Sequence, residues 1–277
     1  MMINLEDQFI KLEQQIGKMS NMAMFAVAVN HKKILNKLRK IMAHLYEEYE
    51  DDGKLTYDEM VKYGRLKKLD KEVSTLIGDL YKDNIKLIRE HLKAIVDDTS
   101  LYTIETIERA TKRRLKAIVK AVDASKTINE DMAGLKWPER MGKHRADVIW
   151  DIQKEIKQGL SEGDTYGTMS KRLKKELEVS QGKANVIIRT EGHRVHAQAK
   201  TESLDSIAKH GIKMTKKWVS GKDERVRSQH AEMNGVVVPY EEDFILPDGA
   251  KGPAPGLIGQ PQHDINCRCI MTIDIAN

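Results

Sequence analysis

The first proline of this chain is Pro138, so nearly half of its 277 residues run without the one residue that forbids an interior helical hydrogen bond. A helical apolar period fills that stretch. Ile34, Leu38, Ile41, Leu45 and Tyr49 recur at three- and four-residue steps, which puts them on one side of a helix. Asp51-Asp52-Gly53 is a stop signal. Thr56 and Glu59 then have the spacing of a capping box, in which hydroxyl and carboxylate satisfy the free N–H groups of a first turn. A second stripe follows in Met60, Tyr63, Leu66, Leu69, Val73, Leu76 and Leu80, and extends through Ile85, Ile88, Leu92 and Ile95. The two stripes predict an antiparallel helical hairpin. They either pack on each other or leave part of the face to dock on a partner assembly.

Asp97-Asp98-Thr99-Ser100 predicts a turn, and a basic helix is expected after it. That helix carries Arg109, Lys112, Arg113, Arg114, Lys116 and Lys120 with no acidic residue among them. Arg109, Arg113, Lys116 and Lys120 share a face by spacing, which suits either phosphate contact or a solvated surface. Residues 123–137 read as a linker, Pro138 as the first turn of a helix, and Gly163 as its end. A short basic helix is expected over 169–177, including Lys171 to Lys175, and another over 183–209, stopped by Gly211. Beyond it, segments 216–220, 236–239 and 270–275 read as strands, and five of the six prolines lie past residue 238. No internal repeat is evident. The expected fold is α+β: an elongated, mostly helical N-terminal half and a small C-terminal α+β domain. The expected divisions are a helical hairpin or bundle over 1–125, a helical linker region over 126–180 and the α+β domain over 181–277.

Composition fits this reading. Aromatic residues are 5% and charged residues 32%, which suits long helices better than one large core. The net charge of +5 is mildly basic and argues only weakly for nucleic acid. The longest apolar run, Met22 to Val29, is too short to span a bilayer, and the first residues lack a signal-like pattern. A soluble protein made in the cytoplasm, with no membrane span, is expected. The two cysteines fall in the last eleven residues, so no disulfide framework exists.

The chemistry-bearing residues lie in the last hundred. Arg189-Thr190-Glu191 sits on the helix before the strands. Trp218 follows, then Asp223, Arg225, Arg227, His230 and Gly235, and the chain closes with His263 and Asn266-Cys267-Arg268-Cys269. His230, His263, Cys267 and Cys269 are imidazole and thiol donors of the kind zinc prefers, although Cys-x-Cys is tighter than the usual knuckle. Buried packing thiols, or a redox or catalytic use, remain alternatives. Asp223 could cap a short helix. Arg225 and Arg227 are forked donors for a carboxylate or phosphate, or ties from the loops to Glu191 or Glu232. His230, His263 and Asp223 around a metal would suit a metal-dependent hydrolase or nuclease, but no nuclease motif is complete.

This ordered set resembles the Mu F-like domain of phage head morphogenesis proteins, over about residues 181 to 277. The segment Tyr63-Gly64-Arg65-Leu66-Lys67-Lys68-Leu69 is also similar to the N-terminal part of minor head proteins from phages of Gram-positive bacteria. The resemblance implies a minor head (capsid) protein of a tailed bacteriophage, present in few copies and acting in head morphogenesis. It implies residence in the virion, inside the capsid near the portal, after assembly in the host cytoplasm. The implied partners are the portal protein, the major capsid protein or scaffold of the procapsid and, weakly, double-stranded DNA. In some relatives such a protein is delivered with the genome at ejection. The resemblance implies no catalytic residue and no enzymatic activity. A hydrolase or nuclease packaged in the head is the alternative.

Overall fold

The computed structural model describes residues 3–131, 134–221 and 224–276. The proline-free half forms two long helices. Helix α1 spans Leu5–Tyr49, opened by the Asn4 side chain accepting from the Asp7 amide at 3.2 Å. The turn after it carries Asp52 and Gly53 in the left-handed region (φ 48° and 74°), as the Asp-Asp-Gly signal predicts. A short helix α2, Tyr57–Val61, is capped by Thr56, whose hydroxyl accepts from the Glu59 amide at 3.3 Å. Only that half of the expected capping box forms, because the Glu59 carboxylate is taken by Lys62 and Arg65. The second stripe is interrupted at its start. A 3-10 turn over Lys62–Gly64 places Tyr63 and Gly64 at φ 54° and 69°, leaving the Tyr63 ring exposed. Helix α3 then runs Arg65–Thr111.

Two sequence expectations fail in α3. Residues 97–100 are not a turn but helix interior. The basic run is not a helix: α3 ends at Thr111, Lys112 turns left-handed (φ 56°), and residues 112–123 form a connection with Leu115 and Val119 buried. Arg109, Arg113, Lys116 and Lys120 therefore do not share a helical face. Helix α4 (Ala124–Asn129) is capped by Asp123, and α5 (Trp137–Glu162) carries Pro138 in its first turn and ends at Gly163, φ 66°. The basic segment 169–177 and the helix expected over 183–209 are one helix, α6, Tyr166–Ala208.

The remaining elements are β1 (Met214–Val219), α7 (Ser228–Glu232), β2 (Val237–Pro239), β3 (Phe244–Ile245), β4 (Lys251–Gly252), α8 (Pro261–Asp264) and β5 (Ile270–Ile275). All three expected strands are present. They form one antiparallel sheet in the order β2-β1-β5, with Trp218 opposite Met271 and Lys217 opposite both Val237 and Thr272. Strands β3 and β4 form a separate pair. The protein is thus α+β, with a long helical N-terminal half and a small strand-containing C-terminal region. Among the described residues no helix is long and apolar enough to cross a membrane.

The chain divides into two compact units, each assembled from separated segments. One comprises 1–22, 89–137 and 186–277, and holds the sheet; the other comprises 23–88 and 138–185. Within the first, Tyr102 donates to Gln8 at 3.1 Å and Ser20 meets His91 at 3.4 Å. Within the second, Asn30 donates to Asn84 at 2.9 Å, and Arg65 lies 3.8 Å above the Tyr49 ring. Rising numbers on α1 meet falling numbers on α3, so the pair is antiparallel in each unit.

The long helices do contain a repeat, visible only in burial. On α1, Leu5, Ile16, Val27 and Leu38 are buried at eleven-residue intervals, as are Leu12, Ala23 and Ile34. On α3 the series are Leu66, Ile77, Ile88, Thr99 and Val73, Asn84, Ile95, Thr106. On α6 they are Met169, Ser180, Glu191 and Leu173, Ala184, Val195. Eleven residues make about three turns at about 3.67 residues each, close to the straight helix, so the buried face barely drifts. Met42 and Tyr46, rather than Ile41 and Leu45, continue the α1 face.

Several repeat positions are polar, and each finds a partner, as burial demands. His31 donates to the Val27 carbonyl at 2.8 Å and meets Ser180 at 3.1 Å, and Tyr81 also reaches Ser180. Thr99 meets His196 at 2.8 Å, and Ser100 meets Ser203 at 3.1 Å. Residues that read as a turn signal are the polar seam between α3 and α6. The C-terminal part of α6 is covered on nearly every side. Its Glu191 pairs with Arg194 at 2.8 Å, and Arg194 also donates to the Thr127 carbonyl. His196 reaches Glu13 at 2.6 Å, while Lys200 donates to the Met271 carbonyl at 2.8 Å and lies 3.6 Å from Glu13.

Candidate metal centre

The strand-rich unit brings three of the sequence-selected donors together. His230 lies in α7, whose five residues follow Arg227 as N-cap. Cys267 and Cys269 lie just before β5, where Asn266 takes a left-handed conformation (φ 55°) that Asn tolerates better than most residues. The alternation of an extended segment sends both sulfurs to the same side. His230 Nδ1 lies 3.6 Å from Cys267 Sγ and 3.5 Å from Cys269 Sγ, and the three atoms fall within 4.8 Å of one another. All three side chains are buried.

His263, expected to ligate together with the cysteines and His230, stands behind this group. Its Nδ1 lies 3.2 Å from His230 Nε2, on the far side of the imidazole from the sulfurs, and its Nε2 is 2.9 Å from Asp248 Oδ2. Asp248 is held in turn by the Ala250 amide at 3.2 Å. Nothing in the sequence marked Asp248, because Pro247-Asp248-Gly249 reads as an ordinary turn.

The two sulfurs do not ionise alike. A hydrogen bond from Cys267 holds Cys269 down to about 4 against its burial, helped by His230 and the backbone of Gly221. The same bond, together with burial, pushes Cys267 well up. A cation held by both sulfurs takes them as thiolates, so its uptake releases protons from the pair.

The surrounding motif residues position the group. Trp218 is fully buried and meets His230 on one side and Phe244 on the other, each edge-to-face with centroids 5.3 Å apart. Its backbone carbonyl accepts from Gly235, whose φ of 86° turns the chain out of α7 into β2. Arg227 does not reach Glu191 or Glu232. It donates to the carbonyls of His263 (3.4 Å) and Ile265 (2.6 Å), clamping the segment that leads to the cysteines. Thr190 accepts from the Asn266 amide at 3.3 Å and so joins α6 to that turn. Glu191 serves Arg194. Arg189, Arg225 and Arg268 are exposed and, with Arg227, Asn266 and Cys267, line a pocket of about 380 Å³. Asp223 lies outside the described residues.

Of the residues expected to touch DNA, Lys112, Arg114 and Lys120 are exposed. Arg109 donates to Thr106, Arg113 to the His210 carbonyl, and Lys116 pairs with Glu105. In the Lys171–Lys175 segment, Arg172 is occupied by Glu155, Glu162 and Asp164.

The profile of the family described as Phage Mu protein F like protein matches residues 150–272. The chain is similar to the minor head protein GP7 of Bacillus phage SPP1, 31% identical over 238 residues, which are 86% of this chain and 77% of that protein. It is also similar to the NAD(+)–arginine ADP-ribosyltransferase EFV of Enterococcus faecalis, 31% identical over 54% of this chain but only 30% of that one. An uncharacterized protein of Haemophilus influenzae is 28% identical over 46% of this chain and 25% of its own. No solved structure matches the chain.

Proposed function

The chain belongs to the phage Mu protein F-like family as a minor head protein of a phage, and on that premise we propose that it is a low-copy, portal-associated component of the capsid interior, non-enzymatic in its role. One observation carries the reading: the likeness to a minor head protein extends over 86% of the chain, far more than the strand-bearing C-terminal region alone. The protein joins the procapsid in the host cytoplasm, meets major capsid protein or scaffold there, and stays close enough to the genome to leave with it. Co-expression with the portal protein of the same phage is expected to yield a complex that co-purifies through size exclusion. Full-length protein that never associates with portal or procapsid would refute the proposed role.

DNA contact is weak and indifferent to sequence, carried by Lys112, Arg114 and Lys120 on the exposed 112–123 connection. Three phosphate contacts correspond to a slope of about −2.7 in a plot of log affinity against log salt. Charge reversal at these three positions is expected to abolish that slope in a fluorescence anisotropy titration with random-sequence duplex. An unchanged slope would place the contact elsewhere.

The donor set of His230, Cys267 and Cys269 is of the type that holds zinc, and two thiol sulfurs with an imidazole nitrogen fit no hard cation as well. The proposed role of the metal is structural. Strand β5 follows a long loop rich in glycine and proline, and zinc ties its entry to α7.

A further inference from the structure

Resting on the zinc reading, we propose that the metal takes only three side-chain ligands among the described residues, His230 Nδ1, Cys267 Sγ and Cys269 Sγ. His263 and Asp248 do not bind it; His263 stands behind His230 and positions the ring through its Nε2.

Distances support the ligand set. With Zn–S near 2.3 Å and Zn–N near 2.05 Å, a tetrahedral site places sulfur and nitrogen about 3.6 Å apart. The observed separations are 3.6 and 3.5 Å, so both sulfur–nitrogen edges match that spacing, and all three atoms lie within 4.8 Å of one another. One Nδ1 offers a single in-plane proton or lone pair. It cannot serve two sulfurs equally by hydrogen bonding, whereas one cation between three donors can.

The contact behind His230 suits a metal-bound ring. A neutral imidazole that binds metal through Nδ1 carries its proton on Nε2, and His230 Nε2 lies 3.2 Å from His263 Nδ1, which can accept it. His263 therefore faces the far nitrogen of the ring and stands outside the cluster of three donor atoms. Asp248 Oδ2 lies 2.9 Å from His263 Nε2 and steadies that second ring by charge. A second imidazole takes the place of the carboxylate or carbonyl that commonly orients a metal-binding histidine. The fourth coordination place falls to water or to a group beyond the described residues.

The test is zinc analysis and Zn K-edge X-ray absorption on full-length protein purified without a metal-affinity tag. The expected result is near one zinc per chain, with two sulfurs and a single imidazole in the scattering. His263→Asn is expected to keep that shell while weakening zinc affinity about 10–100-fold, measured by competition with a chromophoric chelator. Asp248→Asn is expected to weaken affinity in the same direction. His230→Ala is expected to change the shell itself. Two imidazoles in the parent spectrum, or loss of an imidazole in His263→Asn, would overturn the assignment of His263 while leaving zinc in place. Protein that neither carries nor takes up zinc would overturn the metal reading beneath it. The parent spectrum decides the ligand count even if a variant fails to fold.

Discussion

Replacing Glu13 by leucine is expected to destabilise the protein by about 3–5 kcal/mol, the usual cost of removing one partner from a buried ion pair. Lys200 is fully covered, and its ammonium has the Met271 carbonyl at 2.8 Å, the Phe9 ring at 4.6 Å and Glu13 at 3.6 Å. Burial already lowers the Lys200 pKa, and without the carboxylate that holds it up the amine either sheds its proton or stays charged against only a carbonyl and a ring face, while His196 loses its 2.6 Å partner. For a chain of this size the loss corresponds to a melting temperature lower by roughly 6–20 °C. The double variant Glu13→Leu with Lys200→Met removes both charges and is expected to recover much of it.

The same carboxylate sets an acid limit. Burial alone would raise its pKa, but His196, Lys200 and His193 draw it from 4.5 to about 2. A depressed carboxylate stabilises the fold above its unfolded value and loses that contribution as pH falls. The contribution, about 3 kcal/mol, is complete above pH 5 and is lost between about pH 4.5 and pH 2. Urea midpoints measured across that window should fall for the parent and stay flatter for Glu13→Leu. Parallel curves would show that the pair does not carry the acid sensitivity.

Trp218→Ala is expected to cost about 3–5 kcal/mol, since a fully buried indole would leave a cavity at the centre of the sheet. The loss reaches further than volume. The indole is the surface against which both His230 and Phe244 set their rings, so its removal frees α7 and the β3–β4 pair together. Trp218→Phe keeps a ring for both neighbours and is expected to cost clearly less. Urea midpoints of the two variants check this, and equal losses would mean that volume and ring contacts are not what Trp218 contributes.

Elements governed by one strong local signal were legible in the sequence. Pro138 marks a first turn, Gly163 and Gly211 end helices, and strands β1, β2 and β5 fall where β-branched runs lie between turn residues. The proximity of His230 to Cys267 and Cys269 followed from donor chemistry. What was not legible depends on burial of polar atoms. Thr99 and Ser100 look like turn formers, yet α6 supplies the hydroxyl and imidazole that let them sit inside a helix. Asn84, Ser180 and Glu191 occupy repeat positions that an apolar alphabet does not count. The basic run after Arg109 matches a helix by charge spacing, but Leu115 and Val119 turn inward and hold the segment as a connection. Asp248 was hidden by its turn, and only the fold carries it to His263.

The eleven-residue burial interval gives the long helices a modulus as well as a face. A segment of that length added to or removed from α1, matched on α3 and α6, changes their extent by about 16 Å and leaves the remaining buried residues in phase. A change of four or seven residues would rotate the face by roughly a tenth of a turn at the junction and break the polar partnerships downstream. Reach in this architecture is thus adjustable in whole steps of three turns, so duplication or loss of one repeat can refit the helices to a different span without redesigning the core.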